Sequence, residues 1–375
     1  MCGIAGWFHW QQTSVAQQSV LQQMTDTLRH RGTDDQGFFI NHHVAFSHQR
    51  LAVIDPENGR QPMTVDYLGA RYTIIYNGEL YNTAELRREL KRSHVTFKTS
   101  CDTEVLLQAY VRWGKTCLDR LNGIFAFAIW DEYNEELFLA RDRLGVKPLF
   151  YSEVGGQLLF ASEIKALLAH PKIEPVVDLE GMADIFGLGP SRTPGSGIFK
   201  QIHELRAGHA LTVSTQGVRV WRYWQVESRE HTDSYEDTVS AVRDLVTDAI
   251  RRQLVSDVPV STFLSGGLDS SAITAIAANY FNETSQGTLP TFSIDYEGNE
   301  HYFKTNHFQP NSDADFKSIV ASQYATDHRD CFIGEKDLAH LLKEAVELRD
   351  QPGMADVDSS LLWFCRQVKK ETTVS

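Results

Sequence analysis

The seven residues from Ile124 to Trp130 (Ile-Phe-Ala-Phe-Ala-Ile-Trp) carry no charged or amide side chain, and this run constrains the fold more than any other stretch of the chain. A strand with one face in water alternates apolar and polar residues, whereas an unbroken apolar run of strand length is buried on both faces. Other short apolar runs flank it between Cys2 and about residue 165, separated by many turn formers. Helical spacing occurs there in two segments: Val20, Leu21, Met24 and Leu28, and then Val105, Leu106, Ala109, Tyr110 and Trp113. Strands buried on both faces, with few helices, predict stacked sheets covered by helices.

The grammar then changes. Gly187 to Gly197, with Pro190 and Pro194, is rich in turn formers, and the boundary falls between there and residue 235. Beyond it the pattern is strand (Val258 to Leu264), glycine loop (Ser265-Gly266-Gly267-Leu268-Asp269-Ser270-Ser271) and helix (Ala272 to Tyr280). A second strand over Leu289 to Ile294 follows, then helices near Phe316 to Tyr324 and Leu338 to Leu348, the rhythm of a doubly wound parallel sheet. A strand that ends in two glycines and opens a helix turns backbone N–H groups toward an anion, and the helix dipole favours negative charge there. The loop lacks the lysine of a Walker motif and the third glycine of a dinucleotide fingerprint.

Composition narrows the chemistry. A chain of 375 residues, 42% hydrophobic, is long enough for two domains. With 36 basic against 49 acidic residues its net charge is −13, which speaks against a nucleic-acid surface and for small-molecule chemistry. Five cysteines without Cys-x-x-Cys spacing suggest neither disulfides nor a zinc cage, so a reducing, cytoplasmic setting is expected. No leader pattern and no apolar run of about 18 residues is present, so no membrane partner is expected.

Cys2 directly follows the initiator methionine. Removal of Met1 would place a thiol and a free α-amine on one residue, a nucleophile beside its own base, with the ammonium raising the thiolate fraction. Gly3 and Gly6 let the backbone approach a substrate closely. On residue chemistry alone Cys2 reads equally well as a small buried hydrophobe.

The Ser265 to Ser271 loop resembles the pyrophosphate loop of ATP pyrophosphatases. Together with Cys2 and the stretches between, the chain resembles the glutamine-hydrolysing asparagine synthetases along nearly its whole length. The likeness is carried by His30-Arg31-Gly32, Ser47-His48-Gln49-Arg50-Leu51-Ala52-Val53-Ile54-Asp55, Tyr76-Asn77-Gly78-Glu79-Leu80-Tyr81-Asn82 and Cys101-Asp102-Thr103-Glu104-Val105. Ala140-Arg141-Asp142-Arg143-Leu144-Gly145-Val146-Lys147-Pro148-Leu149, Ala161-Ser162-Glu163-Ile164-Lys165 and Asp350 to Ser360 extend it. The resemblance implies a four-layer αββα sandwich of the N-terminal-nucleophile type at 2–210, followed at 236–375 by an incomplete doubly wound α/β ATP-pyrophosphatase domain.

By that resemblance Cys2 attacks the side-chain amide of glutamine, forming a thioester and releasing ammonia. Arg50 offers a planar fork to the substrate α-carboxylate, with the backbone from Leu51 through Ala52 and Val53 to Ile54 completing the cradle. Asn77 and the Gly78 N–H form the oxyanion hole, and Glu79 and Asp102 hold the α-ammonium. A surface ion pair for Arg50 and a β-turn for Asn77-Gly78 are the plain alternatives. His30 and His48 are read as structural, because this class uses the terminal amine as its base.

In the second half the resemblance places adenine against the backbones of Leu264 and Ile294. It places pyrophosphate on Ser265, Gly266, Gly267, Leu268, Asp269, Ser270 and Ser271, with Asp269 near magnesium. The substrates implied are glutamine, aspartate and ATP, through β-aspartyl-AMP, without a bound organic cofactor, and a homodimer is compatible with it. Thr33, where the family usually has proline, Asp35 after it and the extra Gly353 depart from the pattern. The family also continues past a strand matching Glu371 to Val374 into a second acidic loop and a lysine-bearing helical portion. The expectation is therefore a shortened chain whose glutaminase half is complete in motif and whose synthetase half is not. A related amidotransferase for another carboxylate, and a non-catalytic remnant, stay open as alternatives.

Overall fold

The computed structural model describes residues 1–10, 17–302, 307 and 313–374, in two compact units, Met1–Ser228 and Arg229–Ser375. The strands of the first unit are β1 (Gly3–His9), β2 (Asp35–Ile40), β3 (Val44–Arg50), β4 (Met63–Tyr67), β5 (Ala70–Leu80), β6 (Gly123–Asp131), β7 (Glu136–Arg141), β8 (Phe150–Val154), β9 (Gln157–Ala161), β10 (His203–Glu204), β11 (His209–Ser214) and β12 (Gly217–Arg222). Its helices are α1 (Gln18–Asp26), α2 (Thr83–Arg92), α3 (Asp102–Trp113), α4 (Ile164–Leu168) and α5 (Leu179–Leu188).

Two six-stranded sheets result, ordered β10-β8-β9-β1-β3-β2 and β12-β11-β7-β6-β5-β4. Side-chain alternation sorts them into layers. Ile4 and Phe8 of β1 and Val44 and Phe46 of β3 meet Ile75 of β5 and Ala126, Ala128 and Trp130 of β6 between the sheets. The other face of β6 (Phe125, Phe127, Ile129) packs on Leu86 and Leu90 of α2 and Val105 and Leu106 of α3. The other face of β1 (Ala5, Trp7) packs on Leu21 and Met24 of α1 and on Ile164 and Leu167 of α4. The apolar run Ile124 to Trp130 is thus covered on both sides, and the expected αββα order is present. Each large side chain buried this way contributes on the order of 1.5–3 kcal/mol.

In the second unit β13 (Thr262–Phe263), β14 (Pro290–Tyr296) and β15 (Asp327–Ile333) form a parallel sheet in that order. Its helices are α6 (Tyr235–Gln253), α7 (Leu268–Glu283), α8 (Asn299–Tyr302), α9 (Asp313–Gln323), α10 (Glu335–Arg349) and α11 (Asp356–Val368). Phe292 of β14 packs on Phe364 and Val368 of α11. The strand expected over Val258 to Leu264 is shorter: only Thr262 and Phe263 pair with β14, and Pro259, without an N–H to donate, joins the chain end through its carbonyl. The strand expected over Glu371 to Val374 reduces to one parallel bridge, Val260 to Val374. No helix among the described residues is long and apolar enough to cross a membrane.

Candidate active site

Cys2 precedes β1, and because Gly3 pairs with Gln49 it lies beside the end of β3. The Leu51 N–H donates to its Sγ at 3.4 Å, and the thiol reaches the Leu51 carbonyl at 3.5 Å. Alternation places Cys2 on the face of β1 that carries Ile4, between the sheets. Its backbone is held separately: Arg31 Nε donates to the Cys2 carbonyl at 2.8 Å. Arg31 is buried, and its Nη1 meets Glu163 Oε1 at 2.5 Å. His30 Nε2 approaches the same oxygen at 3.0 Å, and Lys165 Nζ meets Glu163 Oε2 at 2.5 Å. Burial pushes the Glu163 carboxyl up, but the His30 hydrogen bond and the Arg31 and Lys165 charges outweigh it and hold it at about 2. Burial pushes the Cys2 thiol up; the Leu51 hydrogen bond, the chain-terminal ammonium and the Lys147 charge pull it down.

Asn77 and Gly78 lie inside β5, opposite Ala126 and Phe125 of β6, which excludes the β-turn alternative. Asn77 follows Ile75 by two residues and so faces the space between the sheets, as Cys2 does. It is 1% exposed, and neither its amide oxygen nor its nitrogen has a partner. Such an unmet group costs about 1–3 kcal/mol, which a ligand completing its bonds would return. A Cβ on Gly78 would lie 2.4 Å from the Ile124 carbonyl oxygen, so only glycine fits. Because β4 begins with Met63 opposite Ile74, the β5 edge beyond it has no strand neighbour. By the two-residue alternation of ladder groups, the N–H groups of Tyr76 and Gly78 turn to that edge.

Three charged residues, Asp102, Glu79 and Lys147, gather near the thiol. Asp102 opens α3, buried, with Oδ2 accepting from the Tyr76 hydroxyl at 3.0 Å and the Leu80 N–H at 3.1 Å; burial raises its carboxyl while these bonds lower it. Burial likewise raises Glu79, offset by Lys147 and reinforced by Asp102. Burial lowers the Lys147 ammonium, against which Glu79 and, more weakly, Cys2 hold the proton on. Arg50 is buried rather than a surface ion pair, and its Nη1 donates to the Pro56 carbonyl at 2.6 Å and its Nη2 to that of Asp55 at 2.7 Å. The guanidinium therefore braces the loop after β3, where Ala52 N–H also binds Asp34 Oδ2 at 2.7 Å. Leu51, Ala52 and Val53 continue there as irregular chain toward Ile54. Arg31, Glu163 and Lys147 sit in quoted motifs, yet sequence reasoning assigned them no role. Their long-range contacts leave no local signal.

In the second unit the glycine loop joins β13 to α7. Gly266 has φ +94, a conformation that favours glycine. The Ser265 and Ser270 hydroxyls bond each other at 2.9 Å, and Ser270 also donates to the Gly267 carbonyl at 3.1 Å, so the serines brace the loop. Leu268, Asp269, Ser270 and Ser271 form the first turn of α7, with Asp269 exposed. Leu264 is buried and its N–H meets the Phe292 carbonyl at 2.8 Å. Ile294 pairs with Cys331 toward the end of β14 and packs against the Phe364 cluster. No group of three or more His, Cys, Asp or Glu that could hold a metal occurs among the described residues.

Comparison with known proteins agrees with both halves. A glutamine amidotransferase domain model matches residues 1–224, and an asparagine synthase model matches residues 241–375. Glutamine-hydrolyzing asparagine synthetase 3 of Bacillus subtilis is 58% identical over 375 residues, covering 100% of this chain and 61% of its own length. Glutamine-hydrolyzing asparagine synthetase 1 of the same organism is 33% identical, covering 100% of this chain and 57% of its own. A putative glutamine-hydrolyzing asparagine synthetase 2 of Methanocaldococcus jannaschii is 32% identical, covering 94% and 68%. The chain thus spans roughly three fifths to two thirds of the length of these relatives.

Proposed function

The chain belongs to the glutamine-hydrolysing asparagine synthetase family, and from that premise we propose that its first unit hydrolyses glutamine at Cys2. The observation that carries this reading is the buried, unpartnered amide of Asn77, turned like the thiol into the space between the two sheets. After loss of Met1, the terminal amine takes the thiol proton and Sγ attacks the side-chain carbonyl carbon of glutamine. The carbonyl oxygen takes the negative charge and is met by the Asn77 Nδ2 and the Gly78 N–H. Collapse expels the amide nitrogen as ammonia, with a proton delivered by the same amine, and leaves a thioester that water cleaves to glutamate.

The α-carboxylate lies against Arg50. A guanidinium has five N–H donors, and the bonds to the 54–56 carbonyls leave Nε and one hydrogen of Nη1 for it. Leu51, Ala52, Val53 and Ile54 wall that side, and Glu79 with Asp102 takes the α-ammonium. The second unit carries the ATP-binding part of a synthetase that activates the β-carboxylate of aspartate, which ammonia converts to asparagine; the chain spans 61% of a relative's length, and the expectation for these residues alone is ATP and pyrophosphate binding. Leu264 and Ile294 border the adenine, and Ser265 to Ser271 receive the pyrophosphate. Asp269 is a single carboxylate at the start of a helix, and a magnesium ion there would supply positive charge to offset the phosphates. Asp269 would hold it in place.

Measuring ammonia and glutamate released from glutamine by the chain and by its Cys2→Ala variant tests the first unit. Release that survives the substitution overturns the assignment. Binding of ATP and of pyrophosphate, measured by calorimetry with magnesium present, tests the second.

A further inference from the structure

We propose that His48 is a positioning residue for glutamine hydrolysis: its Nε2–H, bonded to the Tyr76 carbonyl, fixes the β5 backbone immediately before Asn77 and Gly78. The inference rests on the glutaminase reading above and deepens it.

The geometry begins with the short reach of β4. Its first residue, Met63, pairs with Ile74, so no strand covers the N–H and C=O of Tyr76 on that edge. Two side chains replace the missing strand. Gln61 Oε1 accepts from the Tyr76 N–H at 2.6 Å, and His48 Nε2 lies 3.1 Å from the Tyr76 carbonyl oxygen. A carbonyl only accepts, so Nε2 carries the hydrogen and the neutral ring leaves Nδ1 bare. His48 is 1% exposed. Burial, opposed by the Tyr76 bond, lowers it to about 4, which keeps it neutral at working pH. It therefore cannot be the base that deprotonates Cys2 by gaining a stable charge.

On β3, His48 follows Phe46 by two residues and shares its inter-sheet face, the face onto which Ile75 and Asn77 of β5 also turn. His48 Nδ1 and both amide atoms of Asn77 are buried without partners. These unmet atoms lie on the inter-sheet faces at the same end of the sheets as the Cys2 thiol. Removing the Nε2–H would release the Tyr76 carbonyl, and with it the register of the two oxyanion donors.

The test compares His48→Leu, which removes the donor, with His48→Gln, whose amide can place a donor near the Nε2 position. Steady-state glutamine hydrolysis is measured beside alkylation of Cys2 by iodoacetamide, a displacement that forms no oxyanion. His48→Leu should lower kcat roughly tenfold to a hundredfold with KM nearly constant, since the lost effect lies in the transition state. Its alkylation rate should stay within about twofold of the unsubstituted chain, and His48→Gln should recover most of kcat. An unchanged kcat in His48→Leu overturns the proposal. So does an equal fall in kcat and alkylation, which marks general damage to the fold, or a His48→Gln variant as slow as His48→Leu. Failure of the unsubstituted chain to hydrolyse glutamine would instead remove the glutaminase reading beneath it.

Discussion

Arg31 and Cys2 are joined through the backbone: the guanidinium Nε donates to the Cys2 carbonyl at 2.8 Å, while the thiol meets the Leu51 N–H at 3.4 Å. The main chain of Cys2 and its thiol are thus held by separate partners, Arg31 and Leu51. Glu163 holds Arg31 in turn.

That arrangement predicts a pH signature. The folded Glu163 carboxyl sits at about 2, below its ordinary 4.5. A depressed folded value contributes stability that is full above the unfolded pKa and is lost as pH falls from about 4.5 toward 2. Glu163→Gln should therefore cost about 3 kcal/mol at pH 7 and progressively less below pH 4.5. Urea denaturation of both proteins across that range checks it, and a cost independent of pH would remove Glu163 as the charged clamp.

Arg50→Lys should raise KM for glutamine tenfold or more and loosen the loop after β3. The three tetrahedral donors of an ammonium do not reproduce the planar guanidinium that spans the Asp55 and Pro56 carbonyls and keeps further N–H groups for a carboxylate. Limited proteolysis within 51–60 should quicken alongside the kinetic change. An unaltered KM would place the substrate carboxylate elsewhere.

Asn77→Ala separates catalysis from stability. Its amide makes no hydrogen bond in the folded chain, so truncation forfeits none, and the thermal midpoint should shift by only a few degrees. The turnover rate should drop on the order of a hundredfold with apparent affinity preserved. A large stability loss with turnover intact would make Asn77 a structural residue.

In the second unit, Gly266→Ala should weaken ATP and pyrophosphate binding, measured by calorimetry with magnesium present, because φ +94 is strained for any residue with a Cβ. Asp269→Asn should lower the magnesium dependence of that binding while leaving the loop folded. Equal binding by all three proteins would move the anion site away from this loop.

Where short-range pattern was the signal, the sequence was a good guide. The unbroken apolar run Ile124 to Trp130 required cover on two faces, and β6 has it. Gly266 and Gly267 between strand and helix announced the turn into α7. Local chemistry is a weaker guide where the chain's neighbours in space decide. Asn77-Gly78 is a favoured turn pair, yet pairing with Ala126 and Phe125 draws it into a strand. Val258 to Leu264 reads as one strand, yet only Thr262–Phe263 pairs with β14, while Pro259 and Val260 meet Val374 instead.

The sequence by itself determined the two kinds of unit and the glycine loop, and singled out Cys2 as a candidate, because periodicity, an N-terminal position and turn chemistry act over a few consecutive residues. Only the tertiary structure decided that Arg31 grips Cys2 across 29 positions and that Glu163 grips Arg31 across 132. It alone decided that His48 and Gln61 complete the edge β4 leaves open. The physical reason is that such hydrogen bonds depend on which strands become neighbours when the sheets stack, and no local preference of the chain encodes that distance.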